Sequence, residues 1–255
     1  MSIITMGQIA VMSVQYVHYT FDYYLDSMKR CNVQNIDLWG GSPHYCRLDY
    51  ATSAAAARKI REMRRKAESL GMKIVIYTPE TLGYPYSISA PEQNIRDRTL
   101  DYFDLAMDDT LEMGTNRLFI NSGCSPLDIP REEGWKRAVE SIRKICDMAE
   151  KRGIVMLLEQ LQPYESNLLT NLPQMSAMLK EVNSPALKTC VDLVAMEVAG
   201  EHLEDYYQEL GEDVIQFIHY ADGNPSGHYI LGDGNLPLKE YIQTLEKHNY
   251  TGIVD

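Results

Sequence analysis

Residues Ile154–Tyr164 read IVMLLEQLQPY. The first five side chains are apolar without alternation, the pattern of a strand covered on both faces, as in a parallel sheet flanked by helices. The run then meets Glu159 directly. A buried carboxylate is costly unless it is paired, protonated or bound to a metal, so the end of this strand is also a candidate site.

Similar runs recur along the chain: IITMGQIAV from Ile3, NIDLWG from Asn35, KIVIYT from Lys73, RLFINSG from Arg117, LKTCVDL from Leu187, VIQFIHYAD from Val214 and GIVD from Gly252. With IVMLLEQL from Ile154 they predict eight strands, whose starts lie 27 to 44 residues apart. Between them, apolar residues at three- and four-residue spacing predict helices over Thr52–Leu70, Pro91–Met113 and Glu132–Lys151. SLGMK, EMGTN and KRGIV each place a glycine just past the last helical turn, where a left-handed residue ends a helix. Strand and helix alternating in this way predict a parallel sheet with crossover helices, and eight such units a (β/α)8 TIM barrel. Residues 1–255 are read as one domain, since no low-complexity linker interrupts them. A doubly wound open sheet is the competitor, and no glycine-rich dinucleotide fingerprint follows the first strand to support it. GIVD is short, so the expectation is a barrel whose eighth strand is cut short and whose eighth helix is absent.

Composition narrows the function classes. The 255 residues are 45% hydrophobic and 24% charged, as in an ordinary globular protein. The net charge of -12 argues against nucleic acid as a partner. No run approaches the ~18 apolar residues of a membrane helix, so no membrane partner is expected. The five cysteines form no CxxC pair and suggest reduced thiols in a cytoplasmic protein. Seventeen tyrosines would suit an interface, so a homo-oligomer is possible.

In a barrel, function gathers at the C-terminal ends of the strands. Strand five ends in Glu159, strand six in Asp192 and strand seven in His219, with Asp222 close behind. Two carboxylates and an imidazole on successive strands suit one divalent ion, Mn, Co, Fe, Zn or Mg. Taken singly, a strand-end Asp is as readily a helix cap, and a lone His a hydrogen-bonded core residue.

The segments IDLWGGSPHYC, YTPETLGYPYS, LLEQLQPYESNLLTN, TCVDL and FIHYADGNPSGHYILGDGNLPL, in this order, resemble the xylose isomerase-like superfamily of sugar isomerases and epimerases. Within it the chain is similar to the ketose 3-epimerases, most of all to the fructoselysine type. The resemblance implies a metal held by a Glu, an Asp, a His and a second Glu from strands five to eight. The first three map onto Glu159, Asp192 and His219, and the fourth is expected about two positions beyond Asp255. It also implies that Glu165 contacts a substrate hydroxyl. Epimerases of free ketoses carry a His three residues after the Asp ligand and an Arg six after the His ligand, where this chain has Ala195 and Pro225. The Ala and the HYILGDG stretch favour the fructoselysine branch, and make His228 a candidate substrate contact.

The expected reaction is C3 epimerisation of a ketose or ketose-amine through an enediolate that a bound metal stabilises, with Glu159 as one acid–base group and the strand-eight glutamate as the other. On this reading the segment ending at Asp255 is inactive by itself. An isomerase or dehydratase of another small polyol or of hydroxypyruvate shares the metal site. An abasic-site endonuclease would need more ligands on strands two to four and a basic channel, and a catalytically incomplete sugar-binding relative is the non-enzymatic reading. Between His219 and Pro237 there is no Lys or Arg, which favours an unphosphorylated substrate, although backbone N–H groups around Gly232 and Gly234 could bind an anion. Glu80, Asp222 and Asp233 could complement an amine. Trp39 and His44, around the Gly40–Gly41 pair, and Tyr84 with Tyr86 are candidate substrate contacts at the mouth, and Cys124 is read as a small buried residue.

Overall fold

A computed structural model of the chain describes residues 4–83 and 85–255. Eight parallel strands follow one another in chain order: β1 (Ala10–Met12), β2 (Asn35–Gly40), β3 (Lys73–Pro79), β4 (Arg117–Asn121), β5 (Val155–Glu159), β6 (Leu187–Asp192), β7 (Ile215–His219) and β8 (Ile253–Val254). A parallel bridge between Ile9 and Val254 brings the last strand back to the first. The result is the expected (β/α)8 barrel. Its helices are α1 (Phe21–Arg30), α2 (Ser53–Ser69), α3 (Gln93–Glu112), α4 (Arg131–Arg152), α5 (Leu172–Val182), α6 (Leu193–Val198), α7 (Leu203–Leu210) and α8 (Leu238–Lys247); α6 and α7 both follow β6, so α8 is the helix between β7 and β8.

Local chemistry sets these boundaries. The Thr52 and Asn171 side chains accept from Ala55 N and Gln174 N to start α2 and α5. The three glycines read as helix stops, Gly71, Gly114 and Gly153, all have positive φ (76°, 85° and 66°). The first strand is shorter than its sequence run. Ile3 lies outside the described residues, and Met6–Gln8 form a 3-10 turn because Thr5 and Gln8 satisfy each other's backbone. Only Ala10–Met12 remains as strand.

Side chains on each strand alternate between the barrel interior and the helices. Met156 and Leu158 pack outward with Ile142, Ile145 and Met175, whereas Leu157 points inward with Phe119, Cys190 and Phe217. The same phase continues by two residues on each strand. It carries Glu159 inward after Leu157, Asp192 after Cys190, and His219 after Phe217. Register then sets their height, since Glu159 lies beside Asn121 and Cys190, and Asp192 beside His219.

Candidate active site at the barrel mouth

Glu159, Asp192 and His219 converge as the strand phase requires. Glu159 Oε1 and His219 Nδ1 are hydrogen-bonded, and Asp192 Oδ2 stands 4.0 Å from the same nitrogen. Asp192 also keeps the role of a helix cap: its Oδ1 accepts from Ala195 N at 2.6 Å to start α6. Its Oδ2 meets His228 Nε2 at 2.8 Å. Glu159 and Asp192 are buried, at 6% and 5% exposure.

Burial raises the Glu159 carboxyl above its ordinary range, although His219 opposes this. Burial would lower the His219 imidazole, but its neighbours Cys190 and Glu159 raise it well above the usual value. Glu159 is the partner that counts, because burial pushes the Cys190 thiol up to about 12 and leaves it uncharged. Burial also acts against the Asp192 carboxylate, and there the His228 hydrogen bond and charge prevail, so its pKa is lowered. His228 is correspondingly raised by Asp192.

The donor set suits a divalent ion, with carboxylate oxygens and an imidazole on one small surface. His219 Nε2 is buried and has no hydrogen-bond partner, an arrangement that a further ligand at that nitrogen would relieve. Ligating atoms of Glu159, Cys190 and His219 lie within 4.8 Å of one another, as do those of Asp37, His219 and Asp255. Asp37 and Asp255 were given no role in the sequence reading. Asp37 is fully buried on β2, where Thr78 Oγ1 donates to it at 2.7 Å, and burial raises its carboxyl. Burial likewise raises Asp255, to about 6. The signal in NIDLWG was the one that exposed Glu159: a charge inside an apolar strand, in phase with the interior.

Glu159, Asp192 and His219 lie in a cavity of about 670 Å³, which Trp39, Glu80, Glu165, His228 and Asp255 also line. Glu165 Oε2 accepts from Gln162 N at 2.9 Å, which folds its loop back on itself, and burial raises its carboxyl. Gln162 Oε1 accepts from Ser226 Oγ at 2.9 Å and so joins the Glu165 loop to the His228 loop. Trp39 Nε1 donates to Glu80 Oε2 at 3.2 Å.

Other expected positions fall elsewhere. His44 does not line the cavity: it is 3% exposed, its Nε2 meets the Tyr19 carbonyl at 3.0 Å, and its ring packs on Phe21 and Tyr24. Tyr84 lies outside the described residues. Tyr86 is buried, stacked on Tyr102 at 4.1 Å. Cys124 is exposed rather than buried, and its Sγ lies 3.5 Å from Asn167 Oδ1.

Asp222 is neither a ligand nor an open acid. It is 2% exposed, and its carboxylate accepts from the backbone N–H groups of Gly223, Gly232, Gly234 and Leu236 at 2.9 to 3.1 Å. The loop Gly223–Leu236 is therefore wrapped around this one side chain. A Cβ at Gly223 would lie 2.5 Å from the Pro225 carbonyl oxygen, so the wrap requires glycine there. His228 projects from this loop toward Asp192.

Comparison with known proteins agrees with the architecture. The family model for xylose isomerase-like TIM barrels matches residues 25–255. A fructoselysine 3-epimerase of Escherichia coli O157:H7 is 34% identical over 219 residues, 85% of this chain and 78% of that protein. A D-psicose 3-epimerase of Agrobacterium fabrum is 28% identical over 120 residues, 47% of this chain and 40% of that protein. Among solved structures, a D-psicose 3-epimerase crystallised in the presence of D-fructose superposes with a TM-score of 0.78 at 16% identity, covering 97% of this chain and 83% of that one. A 3-keto-D-glucoside 4-epimerase from E. coli gives a TM-score of 0.80 at 16% identity, covering 97% and 90%; both likenesses are of fold.

Proposed function

The chain belongs to the xylose isomerase-like TIM barrel family, and from that premise we propose that it is a carbohydrate isomerase, a metal-dependent epimerase inverting C3 of a ketose or ketose-amine. The observation that carries the reading is the convergence of Glu159, Asp192 and His219 from three successive strand ends on one cavity. The 34% identity to a fructoselysine 3-epimerase supports the choice of reaction.

Glu159, Asp192 and His219 would hold the ion. When bound, a divalent metal supplies electrostatic stabilisation of negative charge developing on the substrate's carbonyl and adjacent hydroxyl oxygens. Glu159, buried at the end of β5 and held by His219, removes the proton from one face of C3. A second carboxyl group returns a proton on the opposite face, the role the sequence reading assigns to strand eight. Glu165, fixed by Gln162 N, accepts from a substrate hydroxyl, and His228, fixed by Asp192, orients the sugar. The five cysteines are all unbridged, in keeping with work in the reducing cytoplasm.

Purified protein that extends through the expected strand-eight glutamate is to be assayed for bound metal and then incubated in D2O with candidate ketoses and ketose-amines under added Mn. Deuterium should enter the substrate at C3 alone, and chelation should stop it. Exchange that survives complete metal removal would overturn the metal assignment, and exchange at C1 without C3 would make the enzyme an aldose–ketose isomerase instead.

A further inference from the structure

We propose that Asp37 is a positioning residue for the histidine of the candidate metal site: its carboxylate, oriented by Thr78, accepts from His219 Nε2–H and so turns the Nδ1 lone pair toward Glu159 and Asp192. The assignment rests on the metal reading above and gives a task to Asp37, which that reading leaves unused.

The first observation is topological. Glu159 and Asp192 end β5 and β6, on one side of β7, whereas Asp37 stands on β2 and is reached from β7 by way of β8 and β1. The His219 imidazole at the end of β7 therefore has carboxylates on both sides. Its Nδ1 is held by Glu159, with Asp192 at 4.0 Å. A ring nitrogen also comes within 4.8 Å of carboxylate oxygens of Asp37 and Asp255. Nε2 is the nitrogen without a hydrogen-bond partner, and the two nitrogens of an imidazole point in different directions. What Nε2 lacks is thus an acceptor for its proton, and the ion falls to Nδ1, the nitrogen beside Glu159 and Asp192. A separation of this size is closed by a direct hydrogen bond or by one bridging water, with the same effect on the ring.

The second observation concerns Asp37 itself. It is fully buried, and among the described residues its side chain accepts from Thr78 Oγ1 alone, at 2.7 and 3.0 Å from its two oxygens. One hydroxyl proton leaves most acceptor sites of a carboxylate empty, and a charge so placed is costly unless another donor meets it. Thr78 lies two residues beyond Ile76, the β3 partner of Asp37, so both side chains share the interior phase and the hydroxyl fixes which way the carboxylate faces. The unpartnered N–H within reach is that of His219. An uncharged residue would tie β2 to β3 through Thr78 equally well. A carboxylate suits a partner that carries positive charge, as an imidazole does when its other nitrogen holds a cation. Such a carboxylate fixes the tautomer of the ligating ring, and its removal costs about 10- to 100-fold in metal affinity.

The test reads the proton directly, by long-range proton–nitrogen correlation NMR on the same protein with labelled histidines, metal-free and loaded with the diamagnetic ion Zn, at one pH. The His219 signals are assigned through their loss in His219→Gln. In the parent, His219 should be protonated at Nε2 in both states, with Zn at Nδ1. Asp37→Asn, which removes a buried charge and keeps an oxygen for Thr78, should move the Nε2–H resonance upfield and weaken Zn binding, read by calorimetry, about tenfold. Thr78→Val should act in the same direction to a smaller extent, and Asp255→Asn should leave the resonance in place. A general loosening of β2 would weaken Zn binding without moving this proton, and that result would make Asp37 merely structural and overturn the proposal. Zn bound at Nε2 in the parent would also overturn it, as would a resonance that moves in Asp255→Asn and not in Asp37→Asn. A parent that binds neither Zn nor Mn would instead defeat the metal reading, and the metal-free spectra would then support or remove the Asp37–His219 bond on their own.

Discussion

One carboxylate, that of Asp192, serves a helix, a histidine and the candidate metal at once. Asparagine in its place keeps an acceptor for Ala195 N and an amide for His228, but gives up the charge a metal needs. Asp192→Asn should therefore stay within about 1 kcal/mol of the parent in urea unfolding, whereas Asp192→Ala should lose about 1 kcal/mol more, the worth of a helix cap. Affinity for Mn, read by calorimetry, should fall at least about tenfold in both; undiminished affinity in Asp192→Asn would take Asp192 out of the ligand set. Glu159, Asp192 and His219 were legible because each is a titratable residue that ends an apolar run, and on a strand two further residues restore the inward direction. Asp37 obeys the same rule but stands between Ile36 and Leu38, inside its strand rather than at the end, and was passed over. His44 failed in the opposite sense: GGSPHYC follows a strand end, yet its ring turns back to Tyr19, a contact 25 residues away that no local pattern announces.

At the scale of elements, patterns with a fixed period were readable and loops were not. The expected helices Thr52–Leu70, Pro91–Met113 and Glu132–Lys151 became α2, α3 and α4 with ends within two residues, because a glycine marks each C-terminal end and Thr52 caps the start of α2. The run from Ile3 misled because apolar composition outweighed the Thr5–Gln8 pairing. The β7–α8 loop looked like a glycine-rich tract with a spare acid, and only the folded chain shows its backbone collected around Asp222. Burial acts to raise that carboxyl, but the donors from Leu236, Gly232, Gly223 and Gly234 outweigh it and its pKa is lowered. A carboxylate lowered by folding contributes order above its unfolded pKa and loses it as pH falls through the folded value. The loop should thus be indifferent to pH around neutrality and loosen only in acid, below the ordinary aspartate range. Asp222→Asn should reproduce the acid state at neutral pH, with the Gly232 and Gly234 amides exchanging at least about tenfold faster while the barrel's own amides keep their protection. Equal exchange in parent and variant would mean that the glycines, not the carboxylate, hold the loop.

The molecule as a whole is a ring of strands, and a ring is governed by its least bonded seam. Most neighbouring strands are joined by backbone ladders, as between β4 and β5 from Arg117–Val155 to Asn121–Glu159, while β3 and β4 pair at Tyr77–Leu118. Between β8 and β1 the described ladder is the one Ile9–Val254 bridge. Side-chain amides supply the rest. Gln8 Nε2 donates to the carbonyls of Tyr250 and Gly252 at 3.0 and 3.2 Å, and Asn35 Nδ2 donates to those of Gly7 and Ile9, both at 2.9 Å. Asn35 is 1% exposed and Gln8 half-buried, so the Asn35 amide is shielded from the water that competes for the Gln8 amide. Asn35→Ala should then cost about 2 kcal/mol in urea unfolding and Gln8→Ala about 1 kcal/mol, against less than about 0.5 kcal/mol for breaking the exposed Lys59–Glu62 pair on α2. Because Asp255 follows β8 and its carboxylate comes within 4.8 Å of Asp37, which stands on β2 beyond the seam, loosening the seam should also weaken Mn binding in Asn35→Ala although Asn35 touches no ligand. Calorimetry on that variant decides the point: a stability loss with parental Mn affinity would show that closure of the ring and assembly of the site are independent.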